Sequence, residues 1–288
     1  MTENSLNKVI AVVGPTASGK TSFAIELAKK INGEIVSADS RLVYKGFDVG
    51  TAKPTEDERQ GVPHYMIDIV EPEEDYSVGR YVKDAKNVIN DIIKRGKTPI
   101  IAGGTGLYIN ALLMNYDFVD AEPDYELREQ LQNQDNLYEI LYELDEDTAK
   151  TIEKNDKKKL IRAIEIIKTT GQKISKVKKE KEFDVEWIGL NFERDELYKR
   201  INERVDLMLK DGLIDETKRL LNKHGKIPNL INTIGYQEMV SYLDGELTLD
   251  EAVDKLKQNT RRYAKRQLTW FRKNPEIKWN IYPETLKK

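Results

Sequence analysis

Lys8 to Gly14 reads KVIAVVG, a short apolar run rich in β-branched residues that stops at a glycine. Such a run predicts a strand buried on both faces, as in a parallel sheet. The period then changes. Phe23, Ala24, Leu27, Ala28 and Ile31 recur every three or four positions, which predicts a helix over 21–31 with one apolar face. Asn32 and Gly33 end that helix, and EIVSAD follows as a second strand. Strand, glycine-rich loop, helix and strand form a βαβ unit.

The pattern repeats with a long amphipathic helix over 77–95, closed by Gly96. TPIIAGG is then a third buried strand, and a new helix begins at Gly106. From Asp117 to about Glu182 the alternation of strand and helix stops. Helical spacing is found over 127–132, 137–144 and 159–168, and no strand is predicted. WIGLNFERDEL returns to a strand followed by a helix. Helices are expected over 195–209, 214–222, 236–243 and 249–271, and IKWNIY is a candidate last strand. The expected architecture is α/β: an open parallel sheet of P-loop NTPase type flanked by helices, with a helical insertion domain. Residues 1–116 and 185–288 would form the core, and 117–184 the insertion.

Charge sharpens this division. Between Asp120 and Glu153 twelve acids face two cations, Arg128 and Lys150. Between Lys255 and Lys273 there are eight cations and no acid, although the whole chain carries only −3. Nineteen residues without an acid forgo the local pairing that charged helices use, so a polyanionic partner is expected for this run. The alternative is a solvated helix face. The chain has no cysteine, which excludes disulfides and thiolate chemistry, and its two histidines, His64 and His224, argue against a histidine-built metal site. No apolar run is long enough to span a membrane and MTENSLNK is not a signal peptide. A soluble cytoplasmic protein, expected as a monomer, follows.

The chemistry begins at Gly14-Pro15-Thr16-Ala17-Ser18-Gly19-Lys20-Thr21, a full match to G-x-x-x-x-G-K-[ST] between a strand and a helix. Backbone N–H groups and a helix N-terminus would hold phosphate there, Lys20 would add a point charge, and Thr21 would ligate Mg²⁺. ATP or GTP is the usual occupant, yet the strand TPIIAGG ends in Gly103-Gly104-Thr105 with none of the carboxylates that hydrolases place there. The loop would then hold a phosphate as a leaving group. Asp39 and Ser40 follow the second strand at the edge where open α/β sheets bind ligands, and Thr105 projects toward the same edge. Asp39 is a general base, a metal partner through water, or a helix cap. Thr51 and Lys53 are expected close by.

Several segments together resemble the tRNA dimethylallyltransferases: VVGPTASGKT, EIVSADSRLVYKGFDVGTAKP, GVPHYMIDI, IIAGGTGLY, LIRAIEI, RINERVDLMLKDGLIDE, IGYQEM and TRRYAKRQLTWFR, in order from about residue 8 to 272. The resemblance implies transfer of a dimethylallyl group from dimethylallyl diphosphate, held with Mg²⁺. The acceptor would be the N6 amine of the adenosine 3′ of the anticodon, in tRNAs reading codons that begin with U. That base would be turned out of its stack, and the insertion would grip the anticodon arm. It further implies that Asp39 is the base, that Thr105 contacts the reacting centre, and that Arg204 helps to bind diphosphate. Asp39, Ser40, Arg41 and Leu42 would contact the target base. Lys158, Lys159, Leu160, Ile161 and Arg162 would contact RNA, as would Arg128 unless it forms a helix salt bridge. Arg261, Arg262, Lys265 and Arg266, from the basic run, are assigned to RNA as well. Many members carry Gln where this chain has Leu42, and Lys159 replaces an arginine, which keeps charge and loses the bidentate fork. Tyr263, Trp270 and Phe271 would stack on bases or pack in the core. A P-loop nucleotide or metabolite kinase is the competing reading.

Overall fold

The computed structural model describes residues 7–114, 121, 123–176 and 182–281. The chain divides into two compact units, Met1–Met114 with Lys181–Lys288 and Asn115–Glu180.

The larger unit is built on one parallel sheet of six strands. These are β1 (Asn7–Val13), β2 (Gly33–Ser37), β3 (His64–Tyr65), β4 (Thr98–Gly103), β5 (Phe183–Asn191) and β6 (Lys278–Ile281), in the order β3-β2-β4-β1-β5-β6. β1 is central, pairing Ile10 with Ile100 of β4 and Ala11 with Trp187 of β5. Its Val9, Ala11, Val12 and Val13 are fully buried, as a strand covered on both faces requires. The sequence reading omits β3, which is only two residues long, and starts β5 four residues late. Asp184 and Glu186 hide the strand pattern there, although Glu186 pairs with Lys8 on the neighbouring strand at 2.9 Å.

Early helices are α1 (Lys20–Ile31), α2 (Glu56–Arg59), α3 (Val78–Lys94) and α4 (Gly106–Leu113). Asn32 closes α1 in the left-handed conformation, and Gly33 is already strand. Tyr81, Val82, Ala85, Ile89 and Ile92 form the buried face of α3.

The smaller unit contains α5 (Tyr125–Gln132), α6 (Leu137–Leu144), α7 (Glu146–Ala149) and α8 (Lys157–Thr170). Leu131, Leu137, Leu141, Ala149, Leu160, Ala163, Ile164 and Ile167 give it a core of its own. Its limits differ by a few residues from the expected 117–184. Residues 177–181 of the basic stretch, like 115–120, lie outside the described residues.

The chain then continues through α9 (Arg194–Lys210), α10 (Leu213–His224), α11 (Pro228–Ile231), α12 (Tyr236–Leu243) and α13 (Leu249–Phe271). α9 and α13 run antiparallel. Arg261 donates to Asn202 at 2.7 Å, and one turn along Lys257 meets Asp206 at 2.6 Å. No helix among the described residues is long and apolar enough to cross a membrane.

Candidate active site

The carboxyl ends of β1, β4 and β2 lie side by side, so the loops that follow them share one edge of the sheet. After β1, residues 14–19 turn into α1 with Gly19 at a left-handed φ of 80°. After β2, Asp39 Oδ1 accepts from the Arg41 N–H at 2.8 Å, which leaves Oδ2 unengaged among the described residues. After β4, Thr105 binds back to the β2 loop. Its N–H donates to the Ala38 carbonyl at 3.1 Å, and its hydroxyl accepts from the Ser40 N–H at 3.0 Å.

These loops and the helices α9, α12 and α13 enclose a cavity of about 500 Å³. Thr16, Lys20, Thr21, Asp39, Ser40, Arg41 and Arg204 line it, with Val205, Met208, Ile234 and Leu256 as an apolar portion. Lys20 donates to the Pro15 carbonyl at 2.5 Å. Burial, and then the charge of Arg204, push its ammonium down to about 7 against the opposing pull of Asp39. Arg204 reaches from α9 to the Thr16 hydroxyl at 3.2 Å. Its own pKa is lowered by burial, with Asp39 acting against the fall. Two part-buried cations and a carboxylate therefore share one space, an arrangement that favours an anionic ligand.

Other expected residues fall elsewhere. Gly14, Pro15, Ala17, Ser18 and Gly19 shape the loop without lining the cavity, and Thr105 and Leu42 do not line it either. Thr105 acts as a tie between the β4 and β2 loops and with Tyr263. Lys53 is drawn away from the cavity. Its ammonium is held by Asp48, Asp68 and the Tyr44 carbonyl, whereas Thr51 does line the cavity.

In the smaller unit, Leu160 is a correction. It is 1% exposed and belongs to the helical core, so its side chain has no surface with which to contact RNA. Ile161 packs against the same core. Arg128 makes the salt bridge, although between helices: it grips buried Glu165 through two bonds, of 2.8 and 3.0 Å. Arg162 also pairs with Glu165 and donates to the Ala121 carbonyl at 2.9 Å. Burial pushes Glu165 up, but the two guanidinium groups outweigh it and hold the carboxyl below its usual range. Lys158 is exposed, and Lys159 is exposed but paired with Asp156.

The basic run on α13 has two faces. Lys257 and Arg261 are tied to α9, so an acid absent from the run's own sequence is supplied by a neighbouring helix. Arg262, Lys265 and Arg266 are exposed, and Arg266 also borders the cavity. Phe271 is core, and Trp270 is 40% exposed.

The inner face of α13 carries residues that the sequence reading missed or read only for stacking. Leu256, Asn259, Thr260, Tyr263 and Gln267 recur at helical spacing and all line the cavity. Burial, then the Asp39 charge, push the Tyr263 hydroxyl up to about 12. Gln267 is 5% exposed and joins two loops. Its Oε1 accepts from the Thr16 N–H at 2.8 Å, and its Nε2 donates to the Gly104 carbonyl at 2.9 Å. A Cβ on residue 104 would lie 2.2 Å from that Nε2, so a larger residue there would have to displace the Gln267 amide from its bond.

A family model described as IPP transferase matches residues 42–274. A tRNA dimethylallyltransferase from Thermoanaerobacter sp. (strain X514) is 49% identical over 286 residues, covering 94% of this chain and 91% of the relative. This chain belongs to the IPP transferase family. Family relatives include the tRNA dimethylallyltransferase of Bacillus subtilis (strain 168), 46% identical with 96% of this chain and 91% of the relative covered. Among solved structures, the full-length tRNA isopentenylpyrophosphate transferase from Bacillus halodurans superposes with a TM-score of 0.74 at 44% identity. It covers 96% of this chain and 90% of that one. A eukaryotic dimethylallyltransferase acting on tRNA gives a TM-score of 0.84 at 33% identity, covering 96% of this chain and 73% of that one. Family membership leaves the P-loop kinase reading without support.

Proposed function

We propose that this protein is a tRNA dimethylallyltransferase. It transfers the dimethylallyl group of dimethylallyl diphosphate to the N6 amine of the adenosine 3′ of the anticodon, in tRNAs reading codons that begin with U, and releases diphosphate. We assign it to the cytoplasm, as a monomer. One observation carries the reading: a single cavity is lined by Lys20, Thr21 and Arg204, by the carboxylate of Asp39, and by the apolar Val205, Met208, Ile234 and Leu256. The cationic cradle suits a diphosphate and the apolar portion suits a hydrocarbon tail beside it, the two halves of a prenyl donor.

The N6 nitrogen forms a bond to C1 of the donor as the C1–O bond breaks. The electron pair leaves with the diphosphate. Lys20, Arg204 and the Thr16 hydroxyl neutralise or hydrogen-bond the leaving oxygens. Asp39 accepts the proton that the amine loses as it gains positive charge. Among the described residues no group of three or more His, Cys, Asp or Glu could hold a metal by itself. The donor set therefore suits Mg²⁺ that arrives with phosphate oxygens, with the Thr21 hydroxyl as the holding group. When bound, Mg²⁺ would further neutralise the diphosphate. For the RNA we propose Lys158 on one unit and Arg262, Lys265 and Arg266 on the other as backbone contacts.

The test is mass analysis of nucleosides from tRNA incubated with the protein and dimethylallyl diphosphate. Prenylated adenosine is expected. Asp39→Ala should lower turnover by roughly 10²–10⁴ while tRNA affinity holds, and near-normal turnover would remove Asp39 as the base.

A further inference from the structure

Arg200 and Arg204 stand one turn apart on α9, and both reach the phosphate loop. Arg204 meets the Thr16 hydroxyl at 3.2 Å, and Arg200 Nε donates to the Ala17 carbonyl at 3.0 Å. Of the two, only Arg204 lines the cavity. The Arg200 guanidinium lies over the Phe192 ring, 4.4 Å from its centroid, which holds the fork in place. Arg200 thus touches the loop without touching the space that the loop encloses.

The residue that it holds has an unfavourable backbone. The Ser18 N–H donates to the Pro15 carbonyl at 3.3 Å and closes a turn over 15–18. Ala17, the third residue of that turn, has a left-handed φ of 62°. Glycine is the usual residue there, because a Cβ makes the left-handed region about 5–30-fold less populated. The Ala17 methyl packs against the cluster of Leu197, Ile201 and Ala264. The same turn anchors the cationic cradle. It carries the Thr16 hydroxyl that Arg204 meets, and its Pro15 carbonyl also accepts from Lys20 at 2.5 Å.

We infer that Arg200 is a positioning residue for diphosphate binding, acting through the Ala17 carbonyl to hold the loop in its ligand-receiving conformation. The inference rests on the prenyl-transfer reading above for the identity of the ligand. Without the Arg200 bond nothing offsets the left-handed turn, and the competent loop becomes a minor conformer. Affinity then falls in proportion to the population lost. Saturating donor draws the loop back, so the chemical step is unchanged.

Calorimetry with inorganic pyrophosphate and Mg²⁺ reads the loop directly, in wild type, Arg200→Met, Ala17→Gly and the double variant. Arg200→Met is expected to weaken pyrophosphate binding about tenfold, the effect of losing a hydrogen bond from a charged donor. In turnover it should raise KM for dimethylallyl diphosphate by the same factor and leave kcat within about twofold. Ala17→Gly in the Arg200→Met background should recover about fivefold, because glycine adopts this turn freely. A loss of charge alone would not be recovered in that way. Unchanged pyrophosphate affinity in Arg200→Met overturns the inference. So does a loss that Ala17→Gly leaves in place, or a fall confined to kcat. If Arg200→Met does not fold, Phe192→Leu serves, since it frees the guanidinium without removing it. It should weaken pyrophosphate about twofold to fivefold, again recovered by Ala17→Gly, and unchanged affinity there overturns the inference. If the pyrophosphate pattern appears but wild type transfers no dimethylallyl group, the prenyl-transfer reading fails and the positioning role stands.

Discussion

Gln267→Met tests the strap between the phosphate loop and the β4 loop. Methionine fills nearly the same volume but makes neither hydrogen bond. The variant leaves the Gly104 carbonyl buried without a donor and the half-buried Thr16 N–H without its acceptor. A stranded buried carbonyl costs about 2 kcal/mol, and the Thr16 amide, which water can reach, about 1 kcal/mol. Gln267→Met should therefore destabilise the larger unit by about 3 kcal/mol. The three tryptophans, Trp187, Trp270 and Trp279, all belong to that unit, so fluorescence in a urea titration follows it selectively. Gln267→Glu separates the two bonds. A carboxylate at 267 still accepts from Thr16 but sets a negative oxygen against the Gly104 carbonyl, and protonation restores the missing donor. Its deficit should shrink as pH falls, while that of Gln267→Met stays constant. A Gln267→Met variant within about 0.5 kcal/mol of wild type, or a pH-independent Gln267→Glu deficit, would refute the strap.

The Lys20 ammonium is lowered to about 7, so the free site loses that one charge, and keeps Arg204, as pH rises through neutrality. Pyrophosphate affinity by calorimetry should hold below that value and weaken above it. Lys20→Arg, charged throughout, should lack that component of the pH dependence. Arg95, then Lys97 and Tyr65, outweigh burial and hold Glu34, at 1% exposure, down to about 2. A depressed acid stabilises the fold above its unfolded value and loses that contribution as pH falls through the folded one. Glu34→Gln should accordingly cost about 3 kcal/mol near neutrality and almost nothing near pH 2, measured by denaturant unfolding. Replacing Arg262, Lys265 and Arg266 together with glutamine should weaken tRNA binding and reduce its log–log salt slope by about 2–3. An unchanged slope would make that face a solvated surface.

Much of the core was legible because its signals are local. The apolar runs of β1 and β4 and the 3.6-residue face of α3 announce themselves within a dozen residues. The phosphate loop carries its own motif. Asp39 could be placed because the end of β2 could be placed. What escaped depends on pairing across distance. Gln267 reads as one polar residue in a basic helix until β1 and β4 bring Thr16 and Gly104 to it. Lys53 is expected only close to the site, and what holds its ammonium away is Asp68, from a later loop, together with Asp48. Leu160 lies in a segment expected to contact RNA, yet the helical period of α8 turns it inward. Buried acids such as Glu216 are equally silent in sequence. Its carboxylate accepts from the Val49 and Gly50 N–H groups and from the Tyr236 hydroxyl, at 2.9, 3.0 and 2.6 Å. The contact is so close that a Cβ on residue 50 would lie 2.5 Å from the tyrosine ring.

The position of β1 bears on how the chain is made. It leaves the ribosome first, yet its β5 edge waits for Phe183–Asn191. At 5–20 residues per second that edge stays open for on the order of ten seconds or more, carrying some of the most apolar backbone in the molecule. The helical unit, contiguous in sequence and with its own core, is synthesised during that interval. Nascent chains stalled before residue 183 should therefore expose a strand edge that chaperones bind, and chains long enough for residues 183–191 to have cleared the ribosome should hide it.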